Sequence, residues 1–170
     1  MLVVHATKKL LERLRPAALA GPETSSTTAL GSWYATVLFW HPQVALFVNE
    51  PSLLPVLMPL APAVTLLERF PAALATVLVA HGAAEGVIST ELVEMEHHVL
   101  AKTTNRSIVG MMNEFASLAD AWRDQDGEAD LLGLSLRLAA TPCGPLYRRH
   151  VSPDRELAAW LRESAGGAGG

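Results

Sequence analysis

The chain has 170 residues, half of them hydrophobic and only 18% charged, which suits one domain with a real core and excludes a disordered chain. Its formal charge is -4 and its pI is near 5.8, whereas a protein that grips a nucleic-acid backbone shows a basic surplus. A single cysteine, Cys143, excludes an internal disulfide and a cysteine zinc cluster.

Mean hydropathy is +0.25, which raises the question of a membrane. The apolar regions at 44–62 and 72–84 are interrupted by Asn49, Glu50, prolines and His81, so neither reads as the ~18–20 apolar residues of a spanning helix. Near the N-terminus the basic pair Lys8-Lys9 follows a very short apolar segment, the reverse of a signal peptide. The expectation is a cytoplasmic protein with no membrane contact. Few lysines beside many alanines, leucines and arginines fit high-GC bacterial coding.

In chain order, Leu2–Ala6 is β-branched and apolar and reads as a strand. Thr7 caps a helix with Leu10, Leu11 and Leu14 inward, ended by Arg15-Pro16. Residues 17–31 are rich in Pro, Gly, Ser and Thr and read as a loop, an insertion free to move. Trp33, Val37 and Trp40 share a helical face, so 33–40 reads as a short helix capped by Gly31 or Ser32 and stopped by His41-Pro42. Two apolar runs, 44–48 and 53–58, flank Asn49-Glu50-Pro51-Ser52 and read as a hairpin, with Pro55 placing the second strand at an edge. Residues 63–81 form an apolar helix, kinked or split at Pro71, with Gly82 as its C-cap. Residues 87–100 read as a helix with Ile88, Leu92, Met95 and Val99 inward. A helix over 105–123, a turn at Gly127, a helix over 128–140, a rigid turn at 141–145 and a short helix over 154–163 follow. The last residues, 164–170, read as a flexible glycine-rich tail. The expected fold is α+β: one domain over 1–163, with a small antiparallel sheet made of the N-terminal strand and the hairpin near 44–58, packed by five to seven helices.

One stretch, 102–115, is not explained by core-building alone. Ile108, Met111, Met112, Phe115, Leu118, Ala119 and Trp122 form a continuous apolar face, and Arg106, Gly110, Asn113 and Ser117 cluster on the opposite one. A generic solvated surface would carry mostly Glu and Lys. Gly110 costs a helix roughly 0.5–1 kcal/mol against Ala, which makes sense where a ligand or another helix approaches closely.

Three blocks carry a family resemblance: the opening Val4-His5-Ala6-Thr7-Lys8-Lys9-Leu10-Leu11, the run from Leu46 to Val56, and the run from Lys102 to Glu114. The chain resembles an uncharacterised bacterial and archaeal family, one of the catalogued domains of unknown function, over Met1 to about Leu161. The third block is the most specific; similar members often have Ser where Met111 stands. The resemblance implies an α+β fold and a cytoplasmic location, and it implies no activity, cofactor or partner. A likeness to plasmid open reading frames suggests a mobile-element or toxin–antitoxin role by association only.

Two readings compete for the third block. In one, Asn105 or Thr104 caps the helix and Arg106 pairs with a carboxylate. In the other, Lys102, Asn105, Arg106, Gly110 and Asn113, with Ser117, His5 and Lys8-Lys9 nearby, bind a partner protein or an anionic group. The leading expectation is a non-enzymatic interaction protein without cofactor or metal, four tryptophans leaving room for a dimer. The rival is an enzyme acting on a nucleotide or nucleic-acid phosphate, with Arg106 on the phosphate and His5 or Glu114 moving a proton.

Other candidates read as structural. His5 alone in a strand is more often packed than catalytic. Glu94 and His97 have di-iron helix spacing, but that site needs a second such motif, so Glu91, Glu94, His97 and His98 read as a solvated face. Cys143, between two prolines, reads as a turn cysteine, although Arg148, Arg149 and His150 would activate it if folded back. The chain contains no P-loop, dinucleotide-binding glycine fingerprint, Gly-x-Ser-x-Gly elbow or His-Glu-x-x-His.

Overall fold

The computed structural model describes residues 1–126 and 130–166. The fold is α+β. Five strands, β1 (Leu2–Ala6), β2 (Trp33–Leu38), β3 (Val44–Asn49), β4 (Pro55–Pro59) and β5 (His98–Lys102), form one mixed sheet in the order β4-β3-β2-β1-β5. Strand β1 runs parallel to both β2 and β5, and β2, β3 and β4 form an antiparallel meander. Six α-helices surround the sheet among the described residues: α1 (Lys8–Leu14), α2 (Leu66–Ala80), α3 (Glu85–Glu94), α4 (Arg106–Asp126), α5 (Leu131–Ala139) and α6 (Pro153–Gly166).

The sheet is mixed, and larger than the expected pair of units, because two of its strands read as helix. Residues 33–40 were expected to be helical, but Trp33–Leu38 pairs with β1 on one side and β3 on the other. Trp33 and Val37 are four apart, a spacing that fits one face of a helix and one face of a strand alike. A strand buried on both faces shows no polar alternation to separate the two. Similarly, the helix expected over 87–100 ends at Glu94, and Val99, Leu100 and Ala101 pair with Val3, Val4 and His5.

The pleat divides the core in two. Leu2, Val4, Trp33, Ala35, Val37, Phe47, Val56 and Met58 point to the face covered by Leu10 of α1, Leu66, Phe70, Leu74, Val77 and Leu78 of α2, and Leu157 of α6. Tyr34, Leu38, Leu46, Val48 and Leu57 point to the face covered by Ile108, Met111, Met112, Phe115 and Ala119 of α4 and by Leu134 and Leu138 of α5. Pro71 neither splits nor ends α2, which is continuous from Leu66 to Ala80. The segment Ala63–Ala80 is long and apolar enough to cross a membrane by composition, yet its Phe70 and Leu74 stripe packs on the sheet.

Both sheet edges are covered, as unpaired strands invite intermolecular pairing. Strand β4, the edge strand that Pro55 marks, donates its Leu57 N–H to Ser135 Oγ of α5 at 2.9 Å, and that hydroxyl donates to Leu131 O at 2.7 Å. At the other edge, Ala20 N–H donates to Leu100 O of β5 at 2.7 Å. The 17–31 segment is therefore a tethered strap rather than a free insertion. Thr27 N–H bonds to Met1 O, Val3 N–H to Ser26 Oγ, and Ala29 and Leu30 N–H to the Glu91 carboxylate. Burial pushes the Glu91 carboxyl above its usual range, against the pull of those amides. Glu91, expected on a solvated face, is thus a buried anchor.

Helix α5 starts at Leu131, with Asp130 Oδ1 accepting from Gly133 N–H at 3.0 Å; the expected turn at Gly127 and start near Glu128 lie outside the described residues. Helix α6 continues through Gly166, so the first residues of the expected tail, 164–166, are helical, and 167–170 lie outside the described residues.

Candidate functional site

The amphipathic pattern of α4 is realised in space. Ile108, Met111, Met112, Phe115 and Ala119 are buried against the sheet, and Arg106, Gly110, Asn113 and Ser117 are exposed. Asn105 caps the helix: its Oδ1 accepts from Ser107 N–H at 3.0 Å and Ile108 N–H at 3.4 Å. Thr104 does not cap; its hydroxyl shares a 3.2 Å hydrogen bond with the Tyr34 hydroxyl, which also accepts from Asn105 N–H at 3.1 Å. The capping half of the structural reading therefore holds for Asn105.

Arg106 behaves differently. It was expected, on that same reading, to pair with a carboxylate, and it makes no ion pair or hydrogen bond among the described residues. It also stands in the first turn of α4, where the helix dipole disfavours a cation and where no acidic residue offsets it. Lys102, at the end of β5, is exposed with no ion pair among the described residues. At Gly110 a Cβ would meet nothing within 4 Å, so among the described residues no other helix requires the missing side chain.

His5 is 5% exposed in the middle of β1. Its ring stacks on Tyr34 with centroids 4.7 Å apart, and Nδ1 lies 2.9 Å from Lys102 O, a partner that can only accept, so Nδ1 carries the proton. The ring joins β1 to the turn that leads into α4, through Tyr34 and the Lys102 carbonyl. Among the described residues no hydrogen bond or ion pair links His5 to Arg106 or Glu114. Sequence reasoning missed Tyr34 altogether, because its segment read as helix; the tyrosine is the hinge of this arrangement.

Glu114 is exposed on α4 and acts on Cys143. Cys143 is fully buried; burial and then the Glu114 charge push its thiol up to about 11. Its Sγ donates to Thr141 O at 3.3 Å. Arg148, Arg149 and His150 do not activate it. With such a thiol only about one molecule in ten thousand is thiolate at pH 7. A disulfide reagent at neutral pH should leave the folded protein unlabelled and react fully only after denaturant is added. Rapid labelling of folded protein would contradict this placement.

The metal arrangement considered for Glu91, Glu94, His97 and His98 does not form on one helix. Helix α3 ends at Glu94, His97 lies in the turn, His98 opens β5, and Glu91 is turned inward to Ala29 and Leu30.

Three concavities among the described residues lie away from the α4 stripe. One of about 110 Å³ is lined by Leu30, Asn49, Ser52, Arg149, Glu156 and Trp160, among others. One of about 350 Å³ lies between the 149–151 loop and α6. One of about 430 Å³ lies between Leu19, Leu67 and the β5 edge. None is lined by His5, Arg106 or Glu114.

Comparison with known proteins agrees with an uncharacterised family of unknown function. A family model described as Domain of unknown function (DUF6933) matches residues 3–156. No curated protein and no solved structure matches the chain.

Proposed function

The chain belongs to the DUF6933 family, and we propose that it works inside the cell as a non-enzymatic binding module whose exposed α4 stripe receives a partner protein through an anionic group. The observation that carries this reading is an Arg106 without a partner among the described residues beside an open Gly110 on one helix face. Neither residue serves folding where it stands: a cation in the first turn opposes the helix dipole, and glycine in mid-helix lowers stability. Both become intelligible if a partner lies along the stripe. Arg106 and Lys102 then meet an acidic group, Gly110 allows the partner's backbone close to the helix, and Asn113 and Ser117 supply adaptable hydrogen bonds. Asn105 keeps the cap in place and contributes by positioning Arg106. The binding reading is preferred to catalysis because His5 is packed on Tyr34 and committed to Lys102 O, with no carboxylate bonded to it among the described residues.

The stripe yields a test in which stability and function move in opposite directions. Gly110→Ala should raise folding stability by about 0.5–1 kcal/mol, because the site has room for a methyl group and the helix prefers alanine. The same substitution should reduce recovery of partners from the native host, and Arg106→Ala/Asn113→Ala should abolish it with the thermal midpoint unchanged or raised. Equal recovery with all three proteins would refute the stripe as the working surface.

A further inference from the structure

Away from α4, the C-terminal segment builds a cleft of a different character. Its lining is Arg149, His150, Val151, Arg155, Ala158 and Arg162, around a volume of about 350 Å³. We infer that this cleft is an anion site for a small molecule bearing a phosphate pair, with Arg155 and Arg162 of α6 as its free cations.

The geometry follows from the helix. Arg155, Ala158 and Arg162 are spaced i, i+3, i+7 and so share one face, with the two guanidinium groups springing from points about 10 Å apart along the axis. The residue between them is alanine, which leaves the floor low. Opposite lies the loop that carries Arg149 and His150, and this wall is held rigidly. Arg149 forms an ion pair with Glu156, His150 Nδ1 lies 2.9 Å from the same carboxylate, and Glu156 is 5% exposed. Val151 N–H donates to Leu146 O and Cys143 N–H to Val151 O, both near 2.9 Å or shorter. Val151 has φ +75, a backbone conformation that β-branched residues rarely adopt, and it sits in the cleft wall.

The charges do not cancel. Three guanidinium groups stand against one carboxylate, a surplus of two positive charges on a chain whose overall charge is -4. Arg155 and Arg162 have no ion pair among the described residues, and both are exposed at the cleft mouth. Of the acidic residues adjacent to them in sequence, Glu156 is taken by Arg149 and His150, Asp154 accepts from Ser152 Oγ and from the Arg155 backbone N–H, and Glu163, next to Arg162, does not line the cleft. Paired guanidinium forks suit the bidentate geometry of phosphate oxygens, and the surplus suits a diphosphate. The volume lies at the low end of the ~300–1,000 Å³ of small-molecule pockets. A nucleic-acid strand would need a run of basic residues continuing beyond the cleft, and on the chain flanking its lining only Arg148 adds a further arginine.

The test is calorimetric titration of the full chain with inorganic pyrophosphate at physiological ionic strength. Saturable one-site binding is expected, weakened at least about tenfold by Arg155→Gln/Arg162→Gln and unchanged by Arg148→Gln, an exposed arginine outside the cleft. In the unsubstituted protein, backbone amide shifts on titration should be largest at Val151 and Ala158, which keeps the proposal testable without any variant. Absence of saturable binding, equal weakening by Arg148→Gln, shifts centred on α4, or displacement of pyrophosphate by a tighter-binding single-stranded oligonucleotide would each overturn it.

Discussion

Replacing Asn49 with alanine should cost about 3–5 kcal/mol, enough to unfold a large share of a domain whose total stability is ~5–15 kcal/mol. Asn49 is 1% exposed and ends β3 at the point where three segments meet. Its amide nitrogen donates to Leu30 O at 2.9 Å and Ser32 O at 3.3 Å, and its Oδ1 accepts from Ser52 N–H at 3.2 Å and Ser52 Oγ at 2.8 Å. Alanine would leave the Leu30 carbonyl and the Ser52 amide without these partners in a dry environment, and each such group costs about 1–3 kcal/mol. Leu53, at φ +61, belongs to the same turn, and the bond from its N–H to the main-chain Asn49 O at 2.9 Å survives the substitution. Asp is not a rescue, since its carboxylate cannot donate to the two carbonyls. Chemical denaturation of Asn49→Ala checks the magnitude; a loss below about 1 kcal/mol would mean that water replaces the amide and that the turn is not the junction described.

That junction was legible in part. Asn49-Glu50-Pro51-Ser52 reads as a turn because each residue has local turn chemistry, and the strands on either side carry the right period. The tie to Leu30 and Ser32, across seventeen or more residues, has no local signal. The same division runs through the chain. The α4 stripe was readable because a long amphipathic helix repeats its pattern over several turns, and the fold leaves both faces where the period places them. Strands β2 and β5 were not, because both are short and β2 is buried on both faces, so each is compatible with helical spacing. That error hid Tyr34, and with it the reason His5 is packed rather than poised. The cleft was invisible for another reason. Arg149 and His150 lie on a loop and Arg155 and Arg162 on a helix, and the bonds of Arg149 and His150 to Glu156 of that helix bring the two together.

Phe70→Ala should be the most damaging truncation on the α2 face of the sheet, at about 3–5 kcal/mol. The ring is fully buried, stacked on Phe47 with centroids 4.0 Å apart and an 11° tilt, and set edge-on to Trp33 at 5.0 Å and 73°. Three aromatic rings from α2, β2 and β3 therefore form one block, and removing the middle one strips contacts from both neighbours while leaving a ring-sized void. Phe115, equally buried on α4, packs in the other core. Because the sheet separates the two clusters, the milder pair Phe70→Leu and Phe115→Leu should act independently. The double variant should lose the sum of the two single losses to within about 0.5 kcal/mol in denaturant titrations. A larger coupling would show that β2 transmits strain between the faces, and in that case substitutions under α2 would also reach the exposed stripe of α4. Additivity would instead leave that stripe insulated from the α2 core, which is what a surface that must hold Arg106 and Gly110 in fixed register requires.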